Sequence, residues 1–329
     1  MPELEYSCNT SLSYSYYKAI NMDTKYKICA VVVTFNRKEL LINCLNAINE
    51  QTYKPHTVII VDNASTDGTK ELVKQNGYYN IILDGINYKY MLLPNNQGGA
   101  GGFYNGIKTA YESEEKFDAV WVMDDDGVAD KNQLENLVNY LTNYDYIAPL
   151  VIAQEDSESL AFNYYGSYDV NALKDKYDKI VPGYSCPFNG ILYSRQLIEK
   201  IGYPIPQLFI WGDEQNYGLR AKDAGFSPIT IIDAIHIHPK DRMTFAKSLF
   251  GKPIVNIPNL WKGYCFWRNS IFNMKGRASI KQYLIFYVYN AWYYLIIKKS
   301  WSWFSCFNKA YFSGFKKLPD NGYRQYMKG

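Results

Sequence analysis

Three consecutive aspartates, Asp124, Asp125 and Asp126, close the apolar run AVWVM of residues 119–123. Like charges at the end of a buried segment repel one another, so the arrangement calls for something positive beside it. Carboxylates at i and i+2 just after a strand, here Asp124 and Asp126, can hold one hard divalent cation while Asp125 points elsewhere. A bare acidic run is usually a solvated turn; the buried strand in front of this one favours the metal. A second acidic pair, Asp213 and Glu214 in FIWGDEQNYGLR, heads a helix beside Trp211. Such a carboxylate is often only a partner for the helix dipole, but near a metal it becomes a candidate general base. In HIHP, residues 236–239, His236 and His238 share one face of a strand, and they are two of only three histidines in the chain. Finally, NNQGGAGGF, residues 95–103, offers close backbone approach and helix-start donors for anionic oxygens. It has neither the lysine of a Walker loop nor the spacing of a dinucleotide-binding turn.

These groups need a frame, and the pattern around them supplies it. YKICAVVVTFN reads as a strand buried on both faces, and RKELLINCLNAINEQ places Leu40, Leu41, Cys44, Leu45 and Ile48 on one helical face. HTVIIVDNASTDGT is a second buried strand running into turn residues, followed by the helix KELVKQ; YMLLP and DAVWVM are further strands. Asp130 is placed to cap the helix after the aspartates. Strands alternating with helices to about residue 150 imply an α/β fold with a mostly parallel central sheet, whose ligands gather at the carboxyl ends of the strands. Thr34 to Arg37, Asp62 with Asn63, and Asp124 to Asp126 all fall at such ends. Residues 151–187 read as loops and short strands, before the strand CPFNGILYS, the helix RQLIEKIG and the strand PITIIDAIHIHP.

Composition narrows the class. The chain has 329 residues, 47% of them hydrophobic, and a formal charge of +3, which is too small to argue for nucleic acid as a partner. Its six cysteines, Cys8, Cys29, Cys44, Cys186, Cys265 and Cys306, form no C-x-x-C pair, which suits reduced thiols and a cytoplasmic setting. The polar first 27 residues lack the pattern of a signal peptide. Aromatic residues make up 17% of the chain, with 32 tyrosines, as expected of sugar stacking or a membrane interface, though base composition of a genome can produce the same enrichment. The run YLIFYVYNAWYYLII, residues 283–297, is shorter than the roughly 18 to 20 apolar residues a membrane span needs. Two outcomes are open for it. It packs on the catalytic domain through Leu284, Ile285, Tyr287, Val288 and Trp292, or it meets a membrane surface with its rings and lysines.

Taken in order, VVVTFNR, VDNASTDGT, NNQGGAGGF, WVMDDDG, WGDEQNYGLR, HIHP and GYCFWRN resemble the inverting family 2 glycosyltransferases of the GT-A fold, nearest to bacterial galactofuranosyl- and rhamnosyltransferases. The resemblance spans about residues 27–270. It implies a nucleotide-diphospho-sugar transferase fold over 27–257, an N-terminal extension over 1–26 and a C-terminal aromatic-rich helical appendage over 258–329. It further implies that Thr34, Asn36, Arg37, Asp62, Asn96 and Asp125 bind the nucleotide sugar and that Trp211 meets the acceptor. Asp124 and Asp126 would hold Mn²⁺ or Mg²⁺ with a histidine, His238 fitting better than His236. Where the family most often has aspartate as base, this chain places Glu214, next to Asp213, and both stay candidates. The implied partners are a nucleotide-diphospho-sugar donor, with UDP-galactofuranose ahead of dTDP-rhamnose, and a glycan or lipid-linked glycan acceptor. Peripheral contact with the inner face of the cell membrane completes the expectation. A sugar-nucleotide binding protein without turnover would keep the fold but leave the aspartates, the acidic pair and the histidine apart, and a nucleotidyltransferase would need a basic loop near the first strand.

Overall fold

The structure, a computed structural model, describes residues 26–186, 188–240 and 243–327; the N-terminal extension up to residue 25, with Cys8, lies outside the described residues. The first half runs β1 (Ile28–Thr34), α1 (Lys38–Asn49), β2 (Thr57–Asp62), α2 (Thr69–Gln75), β3 (Ile81–Leu83), β4 (Ile86–Leu92), α3 (Gly98–Glu112), β5 (Ala119–Asp124), β6 (Val128–Ala129) and α4 (Gln133–Val138). It continues with β7 (Tyr146–Ala153), β8 (Asp156–Tyr164), β9 (Ser167–Asp169), α5 (Val170–Lys176), β10 (Ile180–Pro182), β11 (Asn189–Ser194), α6 (Arg195–Ile201), α7 (Asp213–Asp223) and β12 (Ile229–His238). A short hairpin of β13 (Phe245–Lys247) and β14 (Pro253–Val255) leads to α8 (Leu260–Met274), α9 (Ile280–Trp292), a π turn over Tyr293–Ile297 and α10 (Trp301–Ser313).

The main sheet has the order β10-β12-β7-β11-β5-β1-β2-β4-β3. Its centre, β5-β1-β2-β4, is parallel throughout, and β12 also runs parallel to β7, whereas β11 is antiparallel to both of its neighbours. Every residue of β1 is buried, because its alternating side chains feed two different cores. Ile28, Ala30 and Val32 pack with Leu41, Leu45 and Leu134 under α1 and α4, while Cys29, Val31 and Val33 pack with Phe103, Ile107 and Tyr217 under α3 and α7. The β-branched run therefore marks the middle layer of an α/β/α sandwich.

Two local expectations are corrected. Asp130 does not cap α4: the helix starts at Gln133 with Asn132 at the cap position, and the Asp130 side chain closes the preceding turn by accepting from the Asn132 amide at 3.1 Å. Residues 151–187 hold a nine-residue strand, β8, and a helix, α5, capped by Asp169. The segment had masked them because β8 pairs with β7 and β9 in short, shifted registers, so its side-chain alternation is weak.

The C-terminal appendage is helical; in its core Trp267 and Ile271 of α8 meet Tyr294, Cys306, Phe307 and Ala310, and Phe209 and Ile257 of the catalytic region join them. The apolar run of residues 283–297 splits between two faces. Phe286, Tyr287 and Tyr294 pack inward, while Leu284, Ile285, Val288 and Trp292 point to solvent. Those four do not pack on the catalytic domain; of the five residues considered for that role, only Tyr287 is partly buried. No helix among the described residues is long and apolar enough to cross a membrane.

Candidate active site

The parallel register sets the strand ends side by side: Val33 lies opposite Asp124, and Thr34 opposite Asp62. Asp125 turns inward, as the i, i+2 reading requires, and is 3% exposed. The Thr34 hydroxyl donates to its Oδ2 at 2.7 Å, and Arg37 Nη1 donates to its Oδ1 at 3.2 Å. The same Arg37 nitrogen reaches Asp126 Oδ2 at 2.6 Å. A positive partner for the aspartates is therefore present in the chain itself. Thr34 is buried and bound to Asp125, so it orients that carboxylate; Arg37 is half exposed and open to the cleft.

Three carboxylates against one guanidinium leave excess negative charge. Desolvation, then Asp126 and Asp125, push the Asp124 carboxyl well above the usual carboxylate range, and Glu214 adds to that push. Burial raises Asp125 to about 6 against the opposing hydrogen bond from Thr34. Asp126 is desolvated too, but contact with His238 and the charge of Arg37 hold it below the ordinary value.

β6 folds back to pair antiparallel with β12, setting Val128 opposite Ile237. That pairing carries His238 Nε2 to 3.4 Å from Asp126 Oδ1, a buried oxygen with no hydrogen bond from any described residue. His236 goes elsewhere. It is fully buried, its Nδ1 lies 3.0 Å from Gln133 Oε1, and a Cβ on Gly127 would stand 2.1 Å from its Nε2. Its ring is thus packed beneath the acidic turn, and Gly127 is the residue that lets the turn pass over it. Among the described residues no three His, Cys, Asp or Glu side chains converge into a closed metal site. The orphaned Asp126 oxygen beside an imidazole, in surplus negative charge, nevertheless fits an open oxygen-and-nitrogen site for Mn²⁺ or Mg²⁺.

At the end of β2, Asp62 is buried; its Oδ1 accepts from the Ser65 amide at 2.8 Å and its Oδ2 from the Tyr90 hydroxyl. Asn36, in a left-handed conformation, holds the facing loop by accepting from the Thr66 amide at 2.7 Å. Asn63 stitches β2 to the glycine-rich turn, accepting from the Gln97 amide and donating to the Gly98 carbonyl, and Asn96 accepts from the Gly98 amide at 2.8 Å. Most glycines of that turn serve packing rather than a ligand. A Cβ on Gly98 would lie 2.0 Å from the Phe209 carbonyl oxygen, and one on Gly102 would strike Val33; only Gly99 looks toward the site, facing the Asp213 carboxylate.

Asp213 and Glu214 form the first turn of α7, with their carboxyls in contact. Asp213 is buried, and desolvation followed by the charge of Glu214 pushes it well above the carboxylate range. Glu214 lines a cavity of 480 Å³ together with Trp211, Tyr184, Phe188, Tyr193 and Lys222. The residues that set this loop were not expected to have a role. Asn269 Nδ2 donates to the carbonyls of Leu208, Ile210 and Trp211, and Asn273 Nδ2 to that of Gly212. Their signal in the sequence was the polar residues Arg268, Asn269 and Asn273 inside an otherwise aromatic helix, where a buried polar group needs a partner.

The acidic turn lies within electrostatic reach of Glu214 at the start of α7, and the family is decided by a match over residues 29–202 to the model described as glycosyl transferase family 2. The chain belongs to glycosyl transferase family 2. Its central parallel strands, flanking helices and C-terminal aromatic-rich helices make it a GT-A glycosyltransferase. It is 28% identical over 288 residues to the galactofuranosyltransferase GlfT1 of Mycolicibacterium smegmatis, covering 83% of this chain and 91% of that one. It is 26% identical over 216 residues to the glycosyltransferase AglE of Haloferax volcanii, covering 64% and 66%. A crystal structure of S. aureus TarS 1-349 superposes with a TM-score of 0.48 at 15% identity, covering 83% of this chain and 73% of that one.

Proposed function

We propose that this glycosyltransferase moves galactofuranose from UDP-galactofuranose to a glycan or lipid-linked glycan acceptor in polysaccharide synthesis, with inversion at the anomeric carbon. The observation that supports the reading is the acidic turn, where His238 Nε2 stands 3.4 Å from Asp126 Oδ1 and Glu214 is near enough to add to the upward push on the Asp124 carboxyl. Similarity to a galactofuranosyltransferase over most of both chains supports the donor. Asp126 and His238 would hold Mn²⁺ or Mg²⁺, with Asp124 beside them. A divalent ion held there would supply positive charge against the diphosphate leaving group.

The chain's own groups do the rest. Arg37, Asn36, Asp62 and the turn at Asn96 surround the place for the nucleotide, with Thr34 fixing Asp125 behind them. Trp211 offers the acceptor a flat apolar face in the cavity that Glu214 lines. Glu214 takes the proton of the acceptor hydroxyl as that oxygen bonds to the anomeric carbon and the bond from that carbon to the diphosphate oxygen breaks. Asp213 is the weaker base candidate, because it is buried whereas Glu214 lines the cavity open to an acceptor.

The catalytic domain over 27–257 and the appendage over 258–329 have different tasks in this reading. Ile280, Leu284 and Val288 repeat every four residues along the outside of α9, at 79%, 58% and 46% exposure, with Lys281 close by and Trp301 73% exposed at the start of α10. An exposed apolar stripe beside lysines fits the headgroup region of an anionic membrane, which would place the enzyme peripherally on the inner face of the cell membrane near a lipid-linked acceptor. The test is transfer from UDP-galactofuranose, against dTDP-rhamnose, to a lipid-linked saccharide, followed by product mass and anomeric configuration. Retained configuration would reject the direct displacement.

A further inference from the structure

We infer that the turn at Asp320–Tyr323 and the α8 side chains Arg268 and Asn269 form a clamp that positions the α7 carboxylates for turnover; this rests on the glycosyltransferase reading above. The loop they hold is strained. Phe209, Trp211 and Gly212 have φ of 67°, 62° and 95°, and two of these three carry bulky side chains that disfavour the left-handed region. Such a path persists only where its surroundings over-determine it.

The surroundings do so from one side. Arg268, fully buried, donates through Nη2 to the carbonyls of Gln207 at 3.1 Å and Leu208 at 2.8 Å, and through Nη1 to the carbonyl of Asp320. Asn269 engages Leu208 at 2.9 Å, Ile210 at 3.1 Å and Trp211 at 2.8 Å. The Tyr264 hydroxyl holds Asp320 Oδ1 at 2.9 Å, and the Tyr323 ring stacks on Phe209 with centroids 4.4 Å apart and planes 25° apart. A guanidinium's fork of donors suits several carbonyls at once, which explains an arginine buried at this point. The C-terminal turn is therefore joined through one side chain to the loop that ends at Asp213.

The donor side has a tie of its own to the sheet. The glycine-rich turn is tied to β2 by Asn63, which binds both Gln97 and Gly98. It touches the clamped loop where the Phe209 carbonyl accepts from the Ala100 amide at 3.1 Å. Loosening the clamp should accordingly displace the base and leave the donor pocket in place, so kcat falls while donor KM does not. A merely structural role would raise donor KM as kcat falls, together with a lower melting temperature.

The test compares wild type with Tyr323→Leu, which keeps apolar volume without the stacked face, with Asn269→Asp, which removes the amide donors, and with Tyr323→Phe as the conservative variant. Transfer kinetics with UDP-galactofuranose are measured beside hydrogen–deuterium exchange. The inference expects kcat lower by about tenfold or more in the first two, donor KM within about twofold, and faster exchange at 207–214 and at Ala100, whose amide is bonded to Phe209, but not over the rest of 95–103, with Tyr323→Phe like wild type. Should Asn269→Asp fail to fold, Tyr323→Leu carries the comparison. Unchanged kcat in a folded Tyr323→Leu, or donor KM rising in step with the loss of kcat, overturns the clamp. A wild-type chain that transfers from no nucleotide sugar overturns the proposed function instead, and the positioning role with it.

Discussion

Asp126 presents one carboxylate oxygen to Arg37 at 2.6 Å and the other to His238 at 3.4 Å, so a single side chain joins the end of β1 to the end of β12 across the acidic turn. Its hydrogen bonds are complete on the arginine side and open on the histidine side. That asymmetry is the basis for placing a cation there.

Asp126→Asn and Asp124→Asn should each remove most transfer while the fold survives, since the amide keeps the volume and loses the charge. Asp125→Asn should behave differently. It replaces a buried acceptor of Thr34 and Arg37, so a stability loss of about 1–3 kcal/mol is expected with activity less affected. Thermal melts alongside rates separate the two classes, and equal activity losses in all three would remove the distinction.

His238→Ala should weaken metal-dependent activity, while His236 governs acid stability. Burial, then His238, depress the His236 pKa to about 3 from an ordinary value of 6.5. The unfolded chain binds that proton first, so the contribution is fully present above about pH 6.5 and is lost as pH falls toward 3. Between pH 7 and 5 the loss is about 2 kcal/mol. Melts in EDTA should show it in wild type and less of it in His236→Gln; an identical pH slope in the variant would refute the assignment.

Glu214→Gln should lower kcat by about 10²–10⁴ with donor affinity little changed, because the carboxylate acts on the acceptor's proton. Asp213→Asn should do less. Greater damage from Asp213→Asn would reverse the choice of base.

Removing residues after Met274 would be a poor test of membrane contact, because Phe307 and Tyr311 of α10 complete the core around Trp267 and Ile271. Ile280→Ser, Leu284→Ser and Val288→Ser together alter only the exposed stripe. Wild type should float with anionic liposomes and be released in part by high salt, and the triple variant should stay soluble. Flotation of both would assign the binding to another surface.

The frame of the fold was legible because its signals are local. β1 and β2 are continuous β-branched runs, α1 has one apolar face, and Asp62 and Asp124 fall at strand ends by counting alone. What stayed hidden depends on contacts between distant segments. The partnership of Arg37 with Asp125 and Asp126 spans almost ninety positions of the chain, and the grip of Asn269 on Trp211 spans 58. GGAGGF suggested a ligand cradle, whereas the facing partner of Gly98 is the Phe209 backbone, which no local pattern announces. His236 and His238 share a face of β12 in the sequence, yet only the return of β6 decides which of them meets Asp126.

The most direct test of the account is nucleoside diphosphate release by the purified chain with UDP-galactofuranose and an acceptor, before and after EDTA and again after Mn²⁺ is restored. The account predicts acceptor-dependent release of UDP that EDTA abolishes and Mn²⁺ or Mg²⁺ recovers, with dTDP-rhamnose a poorer donor. Release that EDTA leaves unchanged would contradict the metal site, and absence of release from any nucleotide sugar in the presence of acceptor and metal would contradict the function.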